Sequence, residues 1–169
     1  MISEYAKGRV IVFVDAANLE CSLKELKWHM DYQKFYDYFS KNTNLYAIRF
    51  YCVRFDNAEQ GNFFTALKKM GFKLVTKKMK IIRDGNTTIR KANFDVEITY
   101  DALELREKYD TLVLFSGDSD FEYLIKKLRG YKKSTIVVSA SYHISKELIY
   151  CCKKYIDLKK LRNEFERIT

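Results

Sequence analysis

Proline is absent from this chain and glycine occurs only six times in 169 residues, so no segment has the composition of a linker or low-complexity tract. Histidine is scarce as well, with only His29 and His143. The four cysteines, Cys21, Cys52, Cys151 and Cys152, form no C-x-x-C pair, and neither histidine is an immediate sequence neighbour of any of them. That excludes the usual zinc-ligand spacings and leaves small buried thiols in a reducing compartment as the expectation. No apolar run approaches the ~20 residues that span a bilayer. Met1 to Gly8 carry no apolar stretch fit for a signal peptide, so a cytoplasmic protein with no membrane partner is expected. No Gly-x-Gly-x-x-Gly or Walker sequence occurs, and two scattered histidines offer no Ser-His-Asp or Cys-His nucleophile system.

Positive charge is what the chain has in excess. Lys and Arg number 31 against 22 acids, a formal charge of +9. A basic surface attracts polyanions. With 47% apolar residues the chain can bury a proper core, and residues 1–169 read as one domain. The sequence leaves a homodimer or larger assembly open.

Apolar spacing predicts strands at 9–15, 44–54, 72–76, 111–115 and 134–139, with a short sixth at 155–156. Between them, helices are predicted at about 19–28 with Asn18 as cap, 32–41, and from Asn57 or Ala58 to Met70 with Gly71 as C-cap. Further helices are predicted at 94–108, 119–129 closed by Gly130, 145–153 and 158–167. Lys77 to Lys91 reads as a hairpin excursion with Asp84-Gly85 as its turn. Strands alternating with helices give an α/β sandwich around a mostly parallel sheet.

Two of the apolar runs end on acid. Val10 to Val14 leads into Asp15, with Asn18 three residues on, and Leu112 to Phe115 leads into Ser116-Gly117-Asp118-Ser119-Asp120. In open α/β sheets, ligands sit outside the carboxyl ends of strands where connections diverge to opposite faces. If these strands are neighbours, Asp15, Asp118 and Asp120 converge on one cleft. Carboxylates crowded like that need a cation or raised pKa values. A hard divalent metal suits such a cleft, and chemistry on phosphate suits the metal. Asp15 as a mere helix cap is the bland alternative, and Asn18 serves equally well as a cap or as an orienting group. Asp95, at the start of a helix, can point into the same cleft, whereas Asp101 lies 240° around that helix. Glu97 reads as a solvent residue.

Val14-Asp15-Ala-Ala-Asn18, Lys91-x-x-x-Asp95-x5-Asp101 and Ser116-Gly-Asp118-Ser-Asp120-Phe121, in that order, resemble the NYN domain (the LabA-like group) of the PIN-like nuclease superfamily. The resemblance covers essentially the whole chain. It implies a three-layer Rossmann-like sandwich of central strand order 3-2-1-4-5, counted without the hairpin, and an acidic metal pocket. For competent members it implies Mg²⁺- or Mn²⁺-dependent cleavage of RNA. Asp15, Asp95, Asp118 and Asp120 match the acidic positions; Asn18, Asp101 and Ser116 match accompanying polar ones. One departure is Ala92-Asn93-Phe94, where members commonly carry a glycine before the hydrophobic-Asp step.

The expected activity is therefore a metal-dependent ribonuclease, with Asp15, Asp95 and Asp118 on one or two ions. Asp120 would sit on a second ion or orient the water. Lys91, Lys78, Lys80, Arg83 and Arg90 belong to a basic stretch from Lys68 to Lys91 whose only acid is Asp84, a candidate RNA-backbone arm. A second group, Lys126, Lys127, Arg129, Lys132 and Lys133, reads as a solvated helix face. The rival readings are a catalytically inactive RNA-binding or adaptor module of the same fold, and a phosphoryl-accepting domain. Ala17 stands where a phosphatase of that last type needs a second acid.

Overall fold

The computed structural model describes residues 2–55, 57–84 and 87–168, with backbone alone for 80–84 and 87–91. Among the described residues, eight strands form two sheets. The large sheet contains β1 (Arg9–Asp15), β2 (Asn44–Arg54), β3 (Lys73–Lys78), β6 (Thr111–Phe115), β7 (Ser134–Ser139) and β8 (Lys154–Asp157). Its spatial order is β3-β2-β1-β6-β7-β8, and every pair within it is parallel. Counted without the hairpin, this is the expected 3-2-1-4-5 order with the sixth strand added at the edge. The small sheet is the expected hairpin, β4 (Lys80–Asp84) against β5 (Thr87–Lys91), antiparallel. Gly85, half of its expected turn signal, lies outside the described residues.

Burial of both sheet faces explains the strand sequences. Val10, Val12 and Val14 of β1 enter one core, and Ile11 and Phe13 enter the other, as a two-residue period requires. The first core gathers side chains from α1 (Ile2–Tyr5), α2 (Ala16–Leu26), α3 (Tyr32–Asn42), α4 (Ala58–Met70) and α8 (Arg162–Phe165). Phe35 and Phe39 of α3 sit at its centre, with Phe35 about 5.0 Å, ring to ring, from both Phe115 and Phe165. The aromatic stripe of this helix is therefore core. The second core is built on α5 (Asp95–Glu104), α6 (Glu122–Gly130) and α7 (Lys146–Cys151). Each fully buried Leu, Ile or Phe contributes on the order of 1.5–3 kcal/mol.

The chain leaves β1 for the first core and β6 for the second. The carboxyl ends of these adjacent strands are thus a topological switch point, where an open α/β sheet forms its ligand crevice.

Several local expectations need correction. Asp15, not Asn18, caps α2, because Asp15 is still extended (φ −76°, ψ 100°) and its carboxylate accepts the Asn18 N–H. Two others hold: Asn57 caps α4, and Gly71, at φ 106°, takes the left-handed position that ends it. Gly130 closes nothing: it belongs to α6, and Lys132 takes the positive φ beyond it. The helix from Asp95 stops at Glu104, before a separate 3-10 turn at Arg106–Lys108. Only Cys52 and Cys151 are buried; Cys21 is exposed and Cys152 half-buried. Among the described residues, no helix is long and apolar enough to cross a membrane.

Candidate metal centre

Parallel pairing sets the site. Val14 is registered against Phe115, so Asp15 and Ser116 leave their strands side by side. The Ser116 hydroxyl donates to Asp15 Oδ2 at 3.3 Å, while Asp15 Oδ1 accepts the Asn18 N–H at 3.3 Å. Asn18 Oδ1 accepts the Gly117 N–H at 2.9 Å, tying the first turn of α2 to the exit of β6. Gly117 is needed for contact: a Cβ there would collide with the carbonyl oxygen of His143 and crowd Ser139 Oγ at 2.7 Å. The same turn is held from the other side, where Gly117 C=O accepts the Ser145 N–H at 3.0 Å.

Asp118 follows in extended backbone and caps the short turn Ser119–Phe121, with Oδ1 accepting the Asp120 N–H at 3.0 Å. One carboxylate is thereby locked in place, and Asp120 projects beside it. Asp95, the first residue of α5, completes the group. Asp95, Asp118 and Asp120 each present a carboxylate oxygen within 4.8 Å of the others. Asp95 and Asp118 are half-buried and Asp120 is exposed.

The electrostatics match this crowding. Burial pushes the Asp95 carboxyl above its ordinary value; Asp118 and Asp120 add to the rise, while Asn93 and Lys77 oppose it. Asp15 is likewise raised, first by burial and then by Asp95 and Asp118, against hydrogen bonds from Asn18 and Ser116. Asp15 therefore lies within the field of the cluster but behind it, at 9% exposure.

Asp101 belongs to a different arrangement. Its Oδ2 accepts from Tyr51 OH at 2.8 Å and from the Arg49 guanidinium, which clamps α5 onto β2. Glu97 is no mere solvent residue: it pairs with Lys77 Nζ at 2.8 Å, joining β3 to the first turn of α5. Lys77 Nζ also sits 4.6 Å from the Phe94 ring centroid, directly before Asp95. Where the glycine of the resemblance is missing, Asn93 Nδ2 donates to Asp95 Oδ2 at 2.6 Å. Sequence reasoning passed over Arg49, met Asn93 only as a departure from the family pattern, and did not pair Lys77 with Glu97. Arg49 alone carried a signal, as a charge inside an otherwise apolar stretch of strand.

The hairpin leaves the carboxyl end of β3 just after Lys78 and returns at Lys91, four residues before Asp95. Its open end is thus on the acidic side of the sheet. Lys78 is exposed, while the side chains of Lys80, Arg83, Arg90 and Lys91 lie outside the described residues.

The doubly wound parallel sheet with carboxylates gathered at its switch point fits the PIN-like class of α/β domain that the resemblance implies. The chain belongs to the NYN domain family, whose sequence model matches residues 9–159. It is 32% identical over 168 residues to the "Low amplitude and bright protein LabA" of Synechococcus elongatus, covering 96% of this chain and 90% of that one. Among solved structures, a protein of unknown function from Vibrio parahaemolyticus matches with a TM-score of 0.80 at 25% identity. That match covers 96% of this chain and 98% of the other.

Proposed function

We propose that this chain is a ribonuclease that hydrolyses RNA phosphodiester bonds with Mg²⁺ or Mn²⁺ held at Asp95, Asp118 and Asp120. The observation that carries this reading is the approach of those three carboxylates to within 4.8 Å of one another at the switch point. An all-oxygen, anionic donor set suits a hard divalent cation and is a poor match to zinc, which prefers nitrogen and sulfur. When bound, such an ion makes water a nucleophile near neutral pH and neutralises charge building on the phosphate.

The chain's own groups divide the remaining work. Asp118 Oδ1 accepts the Asp120 N–H, which holds that carboxylate in one orientation. Asp15 uses one lone pair of each oxygen internally, on Asn18 N–H and Ser116 OH, and adds its negative charge from behind the cluster. Asn18 and Ser116 act as positioning residues, holding the β6 exit against α2. Asp120, on the solvent side, orients the attacking water through a carboxylate oxygen. Lys78 at the end of β3 and the hairpin residues Lys80, Arg83, Arg90 and Lys91 are the cations assigned to an RNA backbone.

The test is cleavage of single-stranded and structured RNA by the purified protein with Mn²⁺, with EDTA, and as Asp118→Asn. Turnover that needs the ion and falls by about a hundredfold or more in the variant, with RNA affinity retained, supports the assignment. RNA binding without metal-dependent turnover in the unaltered protein would overturn it in favour of an adaptor.

A further inference from the structure

At the opposite end of the sheet, where β7 begins, a cavity of about 690 Å³ opens between the N-terminal segment and the last turns of α6 and α7. That volume is in the range of small-molecule sites. Its rim carries Lys7, Arg129, Lys132, Lys133 and Lys153, with Glu4 as the single acid. The carboxyl ends of α6 and α7 bring only about half a negative charge each, too little to balance five cations. Burial raises the Cys151 thiol and pushes Cys152 up to about 11, so both are neutral at pH 7 and add no negative charge.

The floor carries a second observation. Thr135 is 3% exposed and lines the cavity, on the face of β7 that Val137 presents to α6 and α7. Its Oγ1 is buried with no hydrogen-bond partner among the described residues. Valine would fill the same space without leaving a hydroxyl unpaired, so packing does not account for threonine. Ile125 and Cys151 give the cavity an apolar wall. At its edge is the half-exposed ring of Tyr5, with Lys154 Nζ 4.5 Å from the ring centroid.

We propose that this cavity binds a nucleoside phosphate: phosphates on the lysine and arginine rim, the Thr135 hydroxyl on a polar atom of the ligand, and the base against Tyr5. An RNA backbone tracks along an open groove. A cavity walled by three elements suits a free nucleotide instead. The site is independent of the acidic cluster and needs no divalent ion.

Calorimetry in EDTA, which silences the acidic cluster, tests this with a nucleoside diphosphate, inorganic pyrophosphate and a single-stranded oligonucleotide. The diphosphate is expected to bind, and more tightly than pyrophosphate. The double variant Lys132→Gln/Lys133→Gln, at surface positions, is expected to weaken it about tenfold. Thr135→Val is expected to weaken it while leaving the ligand-free melting temperature unchanged or higher. No binding of the diphosphate, binding unaffected by these variants, or loss confined to the oligonucleotide would each overturn the proposal.

Discussion

Asn18 Oδ1 and the Gly117 N–H meet at 2.9 Å across 99 residues of sequence. This bond joins the first turn of α2 to the exit of β6, the two segments whose divergence creates the crevice. It satisfies a buried backbone donor with a side chain, because no strand continues there to do so. The acidic cluster is therefore held by local bonds made between distant parts of the chain.

Asn18→Ala leaves the Gly117 N–H without its acceptor. A buried unpaired donor costs about 1–3 kcal/mol, so urea unfolding should show destabilisation of that order. A loss below about 0.5 kcal/mol would mean that water replaces the amide without cost.

Gly117→Ala should be worse. The added methyl meets the His143 carbonyl, which is backbone and cannot swing aside like a side chain. The expected loss is about 2–3 kcal/mol, with the segment joining β7 to α7 displaced from the site. Unaltered stability, or amide NMR shifts unchanged at His143 to Ser145, would contradict the contact.

Asp101→Ala removes the carboxylate that takes hydrogen bonds from Arg49 and Tyr51. Arg49 would then be left at 22% side-chain exposure without its partner, at a cost of about 2–3 kcal/mol. Asp101→Asn should recover part of this by keeping an acceptor for Tyr51. If Asp101 instead faced the cluster, its alanine variant would lose Mn²⁺ affinity as completely as Asp118→Asn, which calorimetry distinguishes.

The pH dependence follows from the raised carboxyls. Asp15 and Asp95 hold protons more tightly when folded than at their ordinary value of 3.8. Between that value and the raised ones the folded state binds more protons than the unfolded chain. Their contribution to stability is therefore full below 3.8 and is lost as pH rises through the raised values. In EDTA at pH 7, Asp95→Asn should raise the melting temperature by about 1–3 °C, a modest figure because solvent screens the site, and the gain should vanish near pH 4. Mn²⁺ should reverse the order by stabilising the unaltered protein more than the variant. A melting temperature lowered by Asp95→Asn in EDTA would show that the carboxylates do not strain one another.

Much of this protein is written locally. The β1 run from Val10 to Val14 reads as a buried strand, and Gly71 after Met70 as the end of a helix. The carboxylates at strand ends pointed to the switch point before any coordinates did. Local pattern failed where two residues compete for one role. Asp15 and Asn18 can each cap α2, and Glu97 can face either water or Lys77. Those choices turn on neighbours from other segments, as when Asn18 is claimed by Gly117 and Lys77 arrives from β3. Likewise, the basic group at the end of α6 is largely exposed, as its local pattern predicts, and only the fold brings the N-terminal residues and Thr135 beside it. By itself the sequence determined which segments would be strands and helices and which of them would end on acid, because those features depend on periodicity along the chain. Only the tertiary structure decided that Asp95, Asp118 and Asp120 would share one space while Asp101 would not. That depends on β1 pairing with β6 in register and on the bonds by which Tyr51 and Arg49 of β2 hold Asp101 of α5, and both join segments far apart in sequence.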